Sequence, residues 1–141
     1  MILLYAESSA VLAWLLGEPT QDAIIDALSG ADVVATSALT MVECVRGLRR
    51  ARITRRISAA EEDAATRLLD SALRSWNILE LTDDVVQHAR QRFPHEPVRT
   101  LDALHLGSAL VLREHVGPPR VLALDERVRQ NAEALALVVV R

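Results

Sequence analysis

The sequence contains no lysine, one cysteine and very few aromatic residues. All sixteen basic residues are arginine, which excludes chemistry that needs a lysine amine, such as Schiff-base catalysis or the phosphate-binding lysine of a P-loop. The absence of lysine also argues against a phospho-acceptor receiver domain, which resembles this chain in size and in its pattern of strands and helices but relies on a lysine near its aspartate. Cys44 has no partner for a disulfide or a thiolate metal site, so we expect an intracellular protein in a reducing compartment.

Long apolar runs are also absent. No stretch of about eighteen apolar residues occurs, and we therefore expect no membrane span. The apolar N-terminal stretch carries the acidic residues Glu7 and Glu18, and the first basic residue of the chain is Arg46. A secretory signal, in contrast, begins with a positively charged region before its apolar stretch. We interpret this stretch as a strand and a helix, and expect a cytoplasmic protein.

What the sequence has is enough apolar material for one core. Of 141 residues half are hydrophobic and a quarter charged, with five Gly and five Pro. This balance is typical of a single globular domain over residues 1–141 and excludes a disordered or collagen-like chain. Only four residues are aromatic, so Leu, Val, Ile and Ala have to fill the core.

Short apolar runs alternate with amphipathic segments along the chain. The runs predict five strands, over residues 2–6, 33–35, 78–81, 121–124 and 137–140. Helical spacing predicts helices over about 8–16, 20–28, 38–50, 58–76, 82–93, 100–116 and 126–135. The expected caps are Ser8 and Ser9, Thr36 and Ser37, Ser58 with Glu61, Thr82, and Thr100. Strands that are apolar throughout predict a central parallel sheet of about five strands with helices on both faces, an α/β/α sandwich.

Four carboxylates lie where this fold collects functional groups. Glu7 directly follows the first strand, Asp125 follows the fourth, and Asp102 lies in the first turn of its helix. Glu43 lies about two turns into the helix after the second strand. Because functional groups gather at the carboxyl ends of parallel strands, we expect the four to face one cleft. Asp102 and Asp125 also have a purely structural interpretation, as helix caps.

Glu43 is harder to explain structurally, because it is not at a helix start and has apolar neighbours, and Glu7 is equally hard to leave unpaired at the end of an apolar strand. Clustered carboxylates repel one another, and some would take up protons. A hard divalent cation bound by carboxylate oxygens removes this conflict. The pattern therefore indicates a site for Mg²⁺ or Mn²⁺.

Four segments around these carboxylates resemble the signature blocks of PIN-domain ribonucleases. They are residues 5–10 (YAESSA), 37–43 (SALTMVE), 100–106 (TLDALHL) and 124–127 (LDER). They occur in the family's order, and within the family they look most like the VapC toxins of bacterial type II toxin–antitoxin systems. The resemblance implies a PIN-like fold and a metal-dependent endoribonuclease that cuts RNA until a cognate antitoxin covers its site.

The resemblance also assigns roles to residues. The acidic quartet that holds Mg²⁺ or Mn²⁺ and carries catalysis corresponds to Glu7, Glu43, Asp102 and Asp125. Polar residues that often line the quartet correspond to Ser8 and Thr100. The first acidic position is ordinarily Asp in this family, and here it is Glu7. The added methylene leaves three interpretations open: a weakened site, a preference for the more tolerant Mn²⁺, or a deliberate alteration.

Arginines crowd the end of the third helix. Arg46, Arg49 and Arg50 are candidates for contact with RNA phosphates or acidic antitoxin residues; the alternative is a solvated helix end. His105 follows Asp102 by three residues, and we favour a packed helix histidine over a catalytic one. We expect Cys44 to be a small buried residue of its helix.

Two other functions stay open. A catalytically weakened or inactive PIN module would act through protein or RNA binding, and a metal-dependent cleavage assay separates it from the enzyme. A nucleotide-binding α/β domain is disfavoured, because the five glycines lie too far apart for a phosphate-binding fingerprint.

We predict a homodimer. The helices after the first strand carry more apolar residues than one sheet face needs, namely Val11, Leu12, Leu15, Ile24 and Ile25. A two-fold interface is the commonest way to cover such a surface. Light scattering at micromolar concentration should give twice the 15.5 kDa chain mass, and a single-chain mass would contradict the prediction.

Overall fold

The computed structural model describes residues 1–140 and confirms the alternation of strands and helices. The strands are β1 (Leu3–Ala6), β2 (Val33–Ser37), β3 (Asn77–Leu79), β4 (Arg120–Leu122) and β5 (Val138–Val139). The helices are α1 (Ser8–Leu15), α2 (Gln21–Gly30), α3 (Ala38–Ile53), α4 (Ala59–Ser75), α5 (Asp83–Ala89), α6 (Thr100–His115) and α7 (Glu126–Ala134). Within residues 1–140, every helix is too short or too polar to cross a membrane.

The strands form one parallel sheet in the order β3-β2-β1-β4-β5. From β1 the chain runs outward through β2 to β3 and then returns to the other side of β1 with β4 and β5. The strand order therefore reverses between β1 and β4, and sheets of this kind bind ligands beyond the carboxyl ends of the strands at that reversal. Glu7 and Asp125 lie just beyond those two strand ends.

Buried side chains form one cluster on each face of the sheet. Along β1, Leu3 and Tyr5 belong to the first cluster and Leu4 and Ala6 to the second, as alternation along a strand requires. The first cluster contains residues of α6 and α7, and the second contains residues of α1, α2, α3 and α4. The predicted α/β/α sandwich is therefore confirmed.

Several predicted helix boundaries are confirmed by their caps. Ser37 is the N-cap of α3, and Thr82 is the N-cap of α5. Ser58 and Glu61 form the expected capping box at the start of α4. However, α5 ends at Ala89 rather than near Phe93, which lies beyond the helix and packs into the first cluster.

The predicted caps of two helices are wrong, and so is Thr36 as a cap of α3, because Thr36 lies within β2 and its hydroxyl donates to the carbonyl oxygen of Ala6. Glu7, rather than Ser8 or Ser9, is the N-cap of α1, because its carboxylate reaches forward to the backbone N–H of Ser9. At α6 the N-cap position belongs to Arg99, and Thr100 is the first helical residue. In both places the residue before the expected cap takes the extended conformation that opens a helix.

Helical spacing also predicts the wrong environment for two apolar residues. Val42 and Leu101 are expected to face the core, yet they are 61% and 45% exposed. Both line a cleft at the end of the sheet. Periodicity identifies an apolar helix face but does not tell whether that face meets the sheet or an open cleft.

The apolar surface behind the dimer prediction is smaller than the sequence suggests. Val11 and Ile24 are buried in the second cluster, and Leu12 and Leu15 pack partly against it. Of the five residues only Ile25 is exposed. The homodimer itself stays a prediction.

Gly107 allows α6 to pack closely against α5. A Cβ atom at this position would lie 2.7 Å from the carbonyl oxygen of Val85 and 3.2 Å from the backbone nitrogen of Ala89. Because both contacts are with backbone, the clash cannot be relieved by rotating a side chain. We expect Gly107→Ala to lower the free energy of unfolding by about 1–3 kcal/mol.

Gly30, the last residue of α2, provides the matched control, because nothing lies within 4 Å of a Cβ built there. Gly30→Ala should leave stability unchanged or raise it slightly. Urea unfolding of both variants measures the difference, and equal stabilities would show that the contact between α5 and α6 is not close.

Candidate functional site

A cleft of about 570 Å³ opens beyond the carboxyl ends of the central strands. Its lining includes all four predicted carboxylates, Glu7, Glu43, Asp102 and Asp125. Ser8 also lines it, as predicted for this position. Thr100 does not: it is exposed in the first turn of α6 and borders a separate depression beside α5.

Glu7 is almost fully buried at the bottom of the cleft. Its Oε1 accepts a hydrogen bond from the Ser8 hydroxyl at 2.8 Å, and its Oε2 accepts one from the Ser9 backbone N–H at 3.0 Å. The Ser9 hydroxyl also donates to Oε2. Burial raises the pKa of Glu7, although nearby His105 and the serine hydrogen bonds oppose that shift.

The Ser9 hydroxyl joins α1 to the loop that precedes α7. Besides donating to Glu7, its oxygen accepts hydrogen bonds from the backbone N–H groups of Leu124 at 2.9 Å and Asp125 at 3.2 Å. A hydroxyl has one hydrogen to donate and two lone pairs, so its bonding capacity is complete. The strand ends that carry Glu7 and Asp125 are thereby tied together.

His105 lies buried beneath the cleft and holds Glu43. Its Nε2 is 2.6 Å from Glu43 Oε1, and its Nδ1 is 2.8 Å from the Tyr5 hydroxyl. Burial raises the pKa of Tyr5 well above its ordinary value. Because the Glu43 carboxylate can only accept, Nε2 of His105 carries the hydrogen of that bond and donates it to Glu43.

His105 is packed in the core, as the sequence predicts, and it is also a partner of a site carboxylate, which the sequence does not predict. The spacing of three residues from Asp102 is the signal for this role, because it places His105 on the same helix face. The partner carboxylate, Glu43, is on another helix and is not indicated by that spacing.

The guanidinium of Arg99 lies between the two aspartates. Its Nε donates to Asp102 Oδ2 and its Nη2 to Asp125 Oδ2, each at 2.9 Å. The hydrogen bond to Asp102 is the main cause that raises the pKa of Arg99. Arg99 is not among the residues that the sequence analysis identifies, although its i, i+3 spacing from Asp102 is a signal for this pair.

Asp125 caps a helix and also lines the cleft. Its Oδ1 accepts a hydrogen bond from the backbone N–H of Val128 at 3.0 Å and so caps α7. Its Oδ2 faces Arg99 across the cleft. The predicted helix cap is therefore confirmed for Asp125, while its role in metal binding or catalysis stays a prediction.

The arginines of α3 divide between two surfaces. Arg46 and Arg50 line the cleft on the same helix face as Glu43, because residues three or four apart are neighbours on a helix. Arg49 points elsewhere, with its Nη1 3.8 Å from Glu62 Oε2 of α4. Of the three predicted contact residues, the structure brings two to the site.

The remaining wall of the cleft is apolar, with Leu12, Leu39, Val42 and Leu101 among its residues. Cys44, beside Glu43 in sequence, is buried as expected. Burial raises its thiol pKa to about 12, so it is not a nucleophile at neutral pH.

The site residues fit a hard divalent cation in atom type and charge, because the cleft gathers four oxygen-donor carboxylates. Their spacing is not that of a finished metal site. Within residues 1–140, no three His, Cys, Asp or Glu side chains converge as metal ligands. Arg99 is hydrogen-bonded to both aspartates, and His105 is hydrogen-bonded to Glu43.

We predict that Glu7→Gln gains stability relative to the parent protein as the pH rises. Because folding raises the pKa of Glu7, this group favours the folded state most below its unfolded pKa of about 4.3. The contribution is lost as the pH rises through the folded value, since the buried carboxylate then has to ionise. Gln carries no charge and avoids this loss.

Urea unfolding of both proteins between about pH 4 and about pH 8 tests this prediction. The difference in unfolding free energy should move in favour of Glu7→Gln with increasing pH. A difference that is independent of pH would contradict the raised pKa of Glu7.

Comparison with known proteins agrees with this geometry. A family model for the PIN domain matches residues 4–134. Ribonuclease VapC35 of Mycobacterium tuberculosis (strain CDC 1551 / Oshkosh) is 29% identical over 140 residues, which cover 98% of this chain and 96% of that relative.

Two solved structures share the fold at low sequence identity. The crystal structure of VapC20 from Mycobacterium tuberculosis, a Sarcin-Ricin loop cleaving toxin, matches with a TM-score of 0.64 and 17% identity over 96% of each chain. A toxin–antitoxin complex from Klebsiella pneumoniae matches with a TM-score of 0.66 and 16% identity over 100% of this chain and 97% of that chain. The family model spans all four carboxylates of the cleft, and the chain therefore belongs to the PIN-domain family.

Proposed function

We propose that this chain is a metal-dependent endoribonuclease and the toxin component of a type II toxin–antitoxin module. The observation that carries the proposal is that Glu7, Glu43, Asp102 and Asp125 all line one cleft, where the strand order reverses. Two relatives support it, since one is named a ribonuclease and another is a toxin–antitoxin complex.

Arg46 and Arg50 supply the positive surface that RNA needs. The chain as a whole has a net charge of −3, so a nucleic acid has to be attracted locally. Both arginines are exposed on the cleft wall, and within residues 1–140 neither is in an ion pair. None of the residues that line the cleft is aromatic, so we expect contact with phosphates rather than stacking on bases.

The chemistry divides between the carboxylates. Mg²⁺ or Mn²⁺, when bound, would neutralise the charge that develops on the phosphate and lower the pKa of a bound water. Asp102 and Asp125 face the cleft with their Oδ2 atoms and are the first candidates for ligands. Glu43 is held through Oε1 by His105, which leaves Oε2 to orient the attacking water and accept its proton.

A cognate antitoxin, a homodimer and a cytoplasmic location belong to the same proposal. The apolar wall with Val42 and Leu101 beside the carboxylates offers a protein partner both hydrophobic contact and negative charge. A basic side chain of the antitoxin would compete with the metal there. A cytoplasmic location is consistent with an RNA substrate and with the single free thiol of Cys44.

A weakened or inactive PIN module is the second candidate, and Glu7 is the observation that favours it. The glutamate carries a methylene more than the usual aspartate, and both of its oxygens accept hydrogen bonds from α1. A carboxylate committed in this way has less capacity left for a metal ion. Such a module would bind RNA or protein through the same cleft without cutting.

RNA cleavage with Mg²⁺ and then with Mn²⁺ tests the proposal. We expect the parent chain to cleave, a chelator to stop it, and Asp102→Asn to lose activity by about 100-fold, because a charged ligand is removed. Asp22→Asn is the control, since it removes a carboxylate from the exposed first turn of α2, away from the cleft. Melting curves establish that both variants are folded, and a folded Asp102→Asn with full activity would contradict the proposal.

Glu7→Asp in the same assay separates the two candidates. If the parent cleaves RNA and Glu7→Asp cleaves it more efficiently with Mg²⁺, the parent is an active enzyme with a weakened metal site. If Glu7→Asp cleaves RNA while the parent binds RNA without cutting it, the parent is an inactive PIN module.

A further inference from the structure

The guanidinium of Arg99 lies between two carboxylates of the cleft. Its two donors reach the Oδ2 atoms of Asp102 and Asp125 at equal distances of 2.9 Å. Asp125 uses its Oδ1 for the cap of α7, so Oδ2 is the oxygen that it has left for the cleft. The guanidinium therefore occupies the available oxygen of Asp125 and one of the two oxygens of Asp102, where a divalent cation would compete with it.

Arg99 can leave these oxygens at small cost. Its side chain is 78% exposed, so water can replace the two hydrogen bonds, and exposed ion pairs contribute little to stability. Arg99 also borders a second depression, which contains Glu126. The aspartates are different, because Asp102 is mostly buried and Asp125 is fixed by its cap.

We propose that Arg99 is the resident counter-cation of Asp102 and Asp125, and that it has to leave both carboxylates before they bind a divalent cation. The inference rests on the proposed metal-dependent function. In this role Arg99 balances the repulsion between the aspartates when no metal is bound and competes with the metal for them. It is a positioning residue that sets the metal affinity of the site.

Calorimetric titration of the full chain with Mn²⁺ tests this inference. Arg99→Gln should bind Mn²⁺ about five- to tenfold more tightly than the parent, because two charge-assisted hydrogen bonds no longer compete. Arg46→Gln is the matched control: it removes the same charge from the same cleft, but Arg46 forms no ion pair within residues 1–140. Its effect on affinity should be no more than about twofold, the general effect of one exposed charge.

Melting curves provide a second readout that does not depend on activity. In the presence of a chelator Arg99→Gln should melt at a lower temperature than the parent, and Mn²⁺ should raise its melting temperature by more than it raises that of the parent. Arg99→Lys, which keeps the charge but not the two-donor fork, should have an intermediate Mn²⁺ affinity.

The possible results separate the two proposals. If the parent binds Mn²⁺ and cleaves RNA, but a folded Arg99→Gln binds Mn²⁺ no more tightly than Arg46→Gln, the role of Arg99 is overturned and the proposed function stands. If Arg99→Gln binds Mn²⁺ more weakly than the parent, the role of Arg99 is overturned as well, since Arg99 would then favour Mn²⁺ binding rather than compete with it. If neither the parent nor any variant binds Mn²⁺, the metal-dependent function and the role of Arg99 both fail.

Discussion

Mutual repulsion among carboxylates at one end of a parallel sheet is the constraint on which this structure depends. Three devices offset the four carboxylates: the two aspartates share the guanidinium of Arg99, Glu43 accepts a hydrogen bond from His105, and Glu7 caps α1. The carboxylates and their partners come from α1, α3 and α6 and from the segments just before α1, α6 and α7. The interactions that offset the charge therefore link the elements around the cleft.

A structural role and a position in the cleft coincide at two of the four carboxylates. Glu7 and Asp125 are both N-caps, and the helix dipole with its free N–H groups favours a negative charge at each. A cap uses only part of a carboxylate, as the two oxygens of Asp125 show. Asp125 is thus held in place by a backbone N–H group and still presents an oxygen to Arg99, whereas both oxygens of Glu7 accept hydrogen bonds from α1.

Much of the fold and the convergence of the carboxylates could be predicted from the sequence, because both follow from apolar periodicity and the order of strands. The details that could not be predicted depend on side chains from distant segments. Val42 and Leu101 follow the helical period, but only the assembled cleft shows that they are exposed. His105 meets Glu43 across 62 residues of sequence, and a single sequence without the fold does not indicate such a pair. The bridge that Arg99 makes depends on the geometry of the loop before α6, which local spacing alone does not define.

The Ser9 hydroxyl links the two sides of the cleft floor. It ties the end of β1 to backbone groups 115 and 116 residues away in the chain, and it does so at the base of the cleft, where Glu7 is buried. The floor is therefore joined across the strand reversal by side-chain hydrogen bonds as well as by the pairing of β1 with β4. The exposed side chain of Arg99 lies above this floor and is held by its hydrogen bonds to Asp102 and Asp125.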